Sequence, residues 1–285
     1  MSSQKDLFIF NRIKLSDPMK INKNIIKYES QWINGVIDDI KIVNVPVDFN
    51  EFVDLFNNLI DKDINIPSSS AEYISDSMSI DEFKCIVKEF AIDGLTEAQV
   101  CYYILPRLPL RAQMPMLRIM IDEFGSGNYL RTHTNLYIKL LSELNMPVDY
   151  EYYISELSDS SFEFLNMFYW LTLRSDNVSF FAGALTYLET IIPSAFNCFS
   201  NCCFRLGIKS HFYYTEHQHI DSFHSMESIS LLRELHISKQ LDFKKTLVGV
   251  MLAREIMAKA FENSVTTAVS NTKLFKSQYE DLAFD

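Results

Sequence analysis

The sequence predicts an all-α fold, and three observations carry that prediction. Glycine and proline are scarce, with 7 and 8 in 285 residues, which disfavours β-rich and disordered chains. From Ser79 onward, apolar residues recur at the helical period. The hydrophobic content is 48%, with 22 Phe and 14 Tyr, enough to fill one thick helical core. Short connections between the periodic segments favour an antiparallel helical bundle.

Taken in order, residues 1–75 stand apart, rich in Asn, Asp, Ile and Lys and poorly periodic. They are expected to form a small N-terminal appendage. Asn34-Gly35 and the β-branched run at Ile40, Ile42 and Val43 leave room there for a short hairpin. Asp48 to Leu59 reads as a helix, and Ser68-Ser69-Ser70 as a linker. Residues 76–285 form the helical domain. Its expected helices cover 80–92, 96–105, 112–124, 129–144, 150–156, 161–174, 179–192, 195–206, 211–233 and 243–269. Thr96-Glu97-Ala98-Gln99 has the spacing of a capping box. Ser158-Asp159-Ser160-Ser161 marks another start. Pro147 and Pro193 mark stops.

Composition excludes several functions. A net charge of −11 without a Lys/Arg cluster argues against nucleic-acid binding, and no basic amphipathic segment suits a membrane surface. The odd set of five cysteines holds no CxxC pair, so reduced thiols in a cytoplasmic protein are expected. The start of the chain leads into no long apolar run, which predicts no signal peptide. No apolar stretch is expected to span a membrane.

The residues that can carry chemistry are acids and histidines. His217, Asp221 and His224 are separated by four and three residues. On a helix these steps turn about 40° one way and about 60° back, so all three point into one space. Such mixed N/O ligation suits iron or manganese better than a structural zinc site. His219 lies about 200° from His217 and is not expected to join it. Ile220, Phe223 and Met226 flank the set, which argues against a solvated stripe. Glu189 ends a segment that is apolar nearly all round. Its carboxylate is either a metal ligand or the partner of an arginine, because a lone buried charge costs several kcal/mol. Gly125 and Gly127 are expected to break a helix. That break can bring Glu123 and His133 to one pocket; the alternative is an ordinary acidic helix end and a core histidine. Glu97, on local sequence alone, reads first as a first-turn acid favoured by the helix dipole and only second as a ligand.

Together these residues resemble the haem-oxygenase-like di-iron oxidases and oxygenases, often labelled iron-containing redox enzymes, over roughly Glu89 to Glu227. The most specific pieces are Asp122-Glu123-Phe124-Gly125-Ser126-Gly127 with Arg131-Thr132-His133, and the His-x3-Asp-x2-His at His217, Asp221 and His224. Pro106-Arg107-Leu108 follows an acid that aligns with Glu97, and Leu185-Thr186-Tyr187-Leu188-Glu189 matches the place of a bridging Glu in relatives. The resemblance implies a haem-oxygenase-like bundle in which Glu97, Glu123, His133, Glu189, His217, Asp221 and His224 hold two ferrous ions. Some relatives carry a further His soon after the first acid; residues 101–105 contain none, which leans toward the version with four acids. Four carboxylates at roughly −4 offset two ferrous ions at +4.

By the same resemblance, the site binds O₂, forms a peroxo-di-iron(III) species and oxidises an amine- or amino-acid-like substrate of specialised metabolism. The reaction class is N-oxygenation, oxidative C–C cleavage or desaturation. Arg107 and Arg131 are candidates to anchor a substrate carboxylate; the alternative for each is a surface or structural salt bridge. An external electron donor is implied, and relatives often pair as homodimers. The alternatives are a metal-independent haem-oxygenase-like oxidase similar to quinone-cofactor enzymes, and a non-catalytic helical interaction protein. Haem degradation is disfavoured, since no proximal-His helix signature opens the helical body.

Overall fold

Helix starts in this chain are written by short polar side chains. In the computed structural model, which describes residues 2–66 and 68–282 (273–282 for their backbone), Ser3 and Ser79 each close a capping box, with Asp6 and Glu82 respectively. Asn22, Asp48 and Asn177 accept from amides of the turns that follow them. Each cap satisfies amides that the first turn leaves open.

Fourteen α-helices and no strands result among the described residues. The first seven are α1 (Gln4–Ser16), α2 (Lys23–Asp39), α3 (Phe49–Asn65), α4 (Ser69–Asp76), α5 (Ile80–Glu89), α6 (Ala91–Thr96) and α7 (Leu110–Glu123). Then follow α8 (His133–Glu143), α9 (Tyr150–Tyr153), α10 (Asp159–Leu173), α11 (Val178–Ala195), α12 (Asn197–Leu206), α13 (Phe212–Ile237) and α14 (Phe243–Leu282). Helix α11 is the axis of the body, packed on α14, α13, α10 and α3. Eleven of its residues, from Ser179 to Leu188 and Ile191, are buried.

The hairpin expected near Asn34-Gly35 is absent, because that dipeptide lies inside α2. Ile25, Glu29 and Ile33 recur every fourth residue and are all buried. Burying that stripe outweighs the turn preference of one Asn-Gly pair. The expected helix after Asp48 is present as α3, six residues longer than anticipated at its end. Residues 1–75 also enter the main core: Phe8, Phe52 and Phe56 belong to the same apolar cluster as Phe181 and Leu232. A polar network reinforces this. Glu29, 1% exposed, pairs with Arg174, which also donates to Asn11 Oδ1 at 2.6 Å. Asn11 Nδ2 in turn donates to Asn166 Oδ1 at 3.0 Å. A buried ion pair stays ionised only when its remaining donors and acceptors are met in this way.

Two further expectations are corrected. The chain does not stop its helix at Pro193; α11 runs to Ala195, and α12 begins at Asn197. The continuous stretch Val178–Leu206 is therefore long and apolar enough to cross a membrane by length and composition. It is nonetheless the core helix of this fold, with 67% of its most apolar window buried in the protein. The five cysteines are free thiols, four of them buried; burial pushes Cys198 up to about 12 and Cys202 up to about 11, which suits packing rather than nucleophilic chemistry.

Candidate metal centre

The predicted acids and histidines sit where helices begin, end or cross. Helix α7 ends on Glu123, and α8 begins on His133. Between them Gly125 (φ +62°) turns the chain back, and a Cβ there would lie 2.7 Å from the Arg131 carbonyl carbon. This fold-back brings His133 Nδ1 to 2.7 Å from Glu123 Oε2. Glu97 follows the end of α6 rather than opening a helix, and the next residue, Ala98, takes φ 60°. The expected capping box is therefore not formed: Thr96 donates to the Ile92 carbonyl instead, at 2.7 Å.

From the middle of α13, His217, Asp221 and His224 are buried on one side, whereas His219, Phe223 and Met226 are exposed. The flanking apolar residues do not shield the set, as the sequence had suggested; the core itself does. His217 Nε2 meets Glu97 Oε1 at 2.9 Å. His224 Nδ1 faces Asp221 at 3.2 Å, Glu189 at 3.3 Å and Glu123 at 3.5 Å. All seven predicted side chains thus reach one space, in two overlapping groups. Glu97, Glu123, His133 and His217 offer ligand atoms within 4.8 Å of one another, as do Glu123, Asp221 and His224. Glu123 is common to both, and Glu189 stands at the His224 side.

Satisfaction of these atoms is the test of whether a cation fits. Glu97 Oε2, His133 Nδ1, both Asp221 oxygens and both His224 nitrogens are buried without a hydrogen bond among the described residues. His133 and Glu123 are close, but their geometry is not that of an aligned bond. Several buried polar atoms left without partners at one place would cost several kcal/mol. Their donor chemistry, oxygen and nitrogen without sulfur, fits iron.

The outward nitrogens complete the arrangement. His217 Nδ1 lies 2.6 Å from the Tyr213 carbonyl oxygen, to which it donates, and this turns Nε2 toward Glu97. Such an outer hydrogen bond fixes tautomer and ring orientation in a metal-ligating histidine. His224 Nε2 lies 3.6 Å from Asp122 Oδ2, beyond hydrogen-bond range, and Ser126 Oγ donates to the other Asp122 oxygen at 3.0 Å.

Electrostatics without a cation are those of crowded charges. Burial opposes ionisation of Glu123, yet His133, His217 and His224 pull it down to about 2. Burial pushes Glu189 up to about 7, with Asp221 adding to the rise and His224 opposing it. Burial lowers His224, but Asp221, Glu189 and Glu123 outweigh it and bring it up to about 11. His217 and His133 also rise against burial, chiefly through Glu97 and Glu123 respectively. The sign for metal binding follows. Raised histidines hold protons near neutral pH, whereas a metal takes neutral imidazole, so binding must expel protons. Fe(II) affinity should therefore rise with pH, by about tenfold per unit for each proton released. Anaerobic calorimetry in buffers of different ionisation enthalpy measures that release; equal affinities at about pH 6 and pH 8 would contradict it.

Two arginines are engaged elsewhere. Arg107 donates to the carbonyls of Leu171 and Thr172 at 2.9 and 2.8 Å and to Ser175. It closes the carboxyl end of α10, where carbonyls are open. Arg131 pairs with Glu216 at 3.2 Å, its side chain 67% exposed. Neither lines the large cavity beside the cluster; their guanidinium donors meet helix carbonyls and a surface acid, the structural role that was the alternative for each. Asp93, by contrast, was missed. It sits on α6 one turn before Glu97, lines that cavity, and is raised to about 8 by burial, with Glu97 adding to the rise. Its signal was a lone acid in the apolar run Phe90-Ala91-Ile92-Asp93-Gly94-Leu95.

The cavity measures about 740 Å³ and reaches the cluster at Glu97 and His217, a size suited to a small organic molecule. Gly94 shapes its wall: a Cβ there would come within 2.4 Å of the Tyr137 ring. Residues 85–257 match the model of a family described as iron-containing redox enzyme. No curated protein matches the chain.

Proposed function

The chain belongs to the iron-containing redox enzyme family, and from that premise we propose that it is a non-haem di-iron oxidase or oxygenase that uses O₂ to oxidise an amine- or amino-acid-like substrate. An iron-dependent oxidoreductase is what the family gives. The di-iron reading rests on one observation above all: two overlapping groups of ligand atoms that share Glu123. The unpartnered Asp221 and His224 atoms support it further, since neither a metal-independent oxidase nor an interaction protein has a use for them.

In this reading Glu97, His133 and His217 would hold one ferrous ion and Asp221, His224 and Glu189 the other, with Glu123 within reach of both groups. Bound iron would supply the electrons and open positions that O₂ reduction needs, with an external donor restoring the ferrous state. The Tyr213 carbonyl orients His217 through its outward nitrogen. Phe196, stacked edge-on against His217 at 5.2 Å, helps keep water from that imidazole. The cavity holds the organic substrate against Glu97 and His217. A cytoplasmic setting and a reaction of N-oxygenation, C–C cleavage or desaturation complete the proposal.

Anaerobic loading with Fe(II) tests it. About two irons per chain should be retained, and reduced protein should then consume O₂. Loading should also raise the melting temperature, because a cation that binds only the folded cluster stabilises it by mass action. Retention of no iron, or an unchanged melting temperature, would remove the proposal.

A further inference from the structure

The lining of the cavity selects a substrate by charge. Its wall is aromatic, with Phe90, Tyr137, Phe164, Phe196, Tyr213 and Tyr214 among its members. Toward solvent it passes the exposed carboxylates of Glu72, Asp76, Glu255 and Glu262. Among the described lining residues the one permanent cation is Arg254. That guanidinium is already committed, since it grips Asp63 through two bonds of 2.7 Å, and Tyr187 donates to the same carboxylate at 3.0 Å. A carboxylate entering past these acids would meet like charges, and the committed guanidinium is not free to receive it.

At the inner end the opposite holds. Asp93 lines the cavity and makes no side-chain hydrogen bond among the described residues. It lies four residues before Glu97, which follows the end of α6, and both acids line the cavity. A carboxyl group without a donor in this aromatic chamber suits an ammonium group, whose positive charge favours the ionised form that burial and Glu97 oppose. Aromatic faces add to the attraction for such a cation, and acids around an entrance raise its local concentration.

We propose that the substrate is an amine carried on an apolar body and lacking a carboxylate, with its ammonium nitrogen held at Asp93 beside Glu97 and His217. This rests on the oxidase reading and narrows it: the zwitterionic amino acids are excluded and the nitrogen end is directed to the cluster. Asp93 is a positioning residue, not a metal ligand.

The test uses the iron-loaded full chain under anaerobic conditions, with 2-phenylethylamine, phenylalanine, 3-phenylpropionate and 2-phenylethanol as probes that share one aromatic body. Calorimetry should show the amine binding at least about tenfold tighter than the other three. Asp93→Asn should lose about tenfold in amine affinity while keeping the iron content of the parent protein. Equal or tighter binding of the acid or the amino acid overturns the proposal, and so does an Asp93→Asn protein with undiminished amine affinity. Loss of iron from that variant would make Asp93 a ligand and overturn it as well. Should Asp93→Asn not fold, the parent protein still decides, because an alcohol that binds as well as the amine shows that charge is not recognised. Iron content and O₂ uptake are measured separately. A protein that binds iron and consumes O₂ but prefers carboxylates refutes this substrate alone, whereas a protein that takes up no iron refutes the oxidase reading.

Discussion

Glu123→Ala should leave the protein with almost no iron, whereas Asp221→Ala should keep about one ion per chain. The difference comes from position. Glu123 offers Oε2 at 2.7 Å from His133 and Oε1 at 3.5 Å from His224, so one carboxylate spans both ligand groups. Asp221 belongs to the second group, and its loss leaves Glu97, Glu123, His133 and His217 together. On the di-iron proposal, removing the shared carboxylate would take a ligand from each ion and would also remove the charge that lets two dications lie near each other. Loss of even outer partners weakens metal affinity by about 10- to 100-fold, and loss of a shared inner one should exceed that. Iron is counted after anaerobic loading and desalting, with circular dichroism checking the fold. Two irons retained by Glu123→Ala would rule out the shared carboxylate. Equal losses in both variants would mean that the two ions bind as one cooperative unit.

Much of this centre was legible in the sequence because its largest piece lies on one unbroken helix. His217, Asp221 and His224 need only the helical repeat to converge, and α13 supplies it without a kink. Glu123 and His133 were legible through glycine, since Gly125 adopts a positive φ that side chains rarely tolerate. Glu97 was found, but its setting was not. Ala98 takes a left-handed conformation, and alanine gives no local sign of that. Asp93 escaped because the expected helix over 80–92 ended one residue short of it, whereas the chain starts a fresh short helix at Ala91. For the arginines the sequence left an anchor and a structural role both open, because tertiary partners decide what a guanidinium does; Arg107 finds the open carbonyls of α10. In the N-terminal region local preference lost to burial: Ile40 is 9% exposed and packs in the core without any strand. Tertiary packing of this kind routinely overrides β propensity.

Gly183→Ala should cost about 3 kcal/mol or more of stability and should reduce iron retention with it. Helix α11 crosses α14 with backbones in contact. A Cβ on Gly183 would lie 2.0 Å from the Thr246 carbonyl oxygen, and one on Gly249 would lie 2.1 Å from the Phe180 carbonyl oxygen. The two glycines therefore face each other's helices reciprocally, and the obstructing atoms are backbone that no rotamer change can move. A single methyl group forces the helices apart by about 1 Å, and close-packed interiors transmit such shifts instead of absorbing them. The consequence reaches the centre, because α11 carries Glu189 two turns further along, 3.3 Å from His224. A displaced Glu189 loosens the His224 side first, so the iron lost should be the ion held with Asp221. Gly35→Ala is the matching control. It lies in α2 with nothing within 4 Å of its added Cβ, and an open helical position should gain up to about 1 kcal/mol from alanine. Urea midpoints of the two variants should move in opposite directions. If Gly183→Ala melts like the parent protein, the close crossing of α11 and α14 is wrong, and with it the rigid placement of Glu189 that the cluster requires.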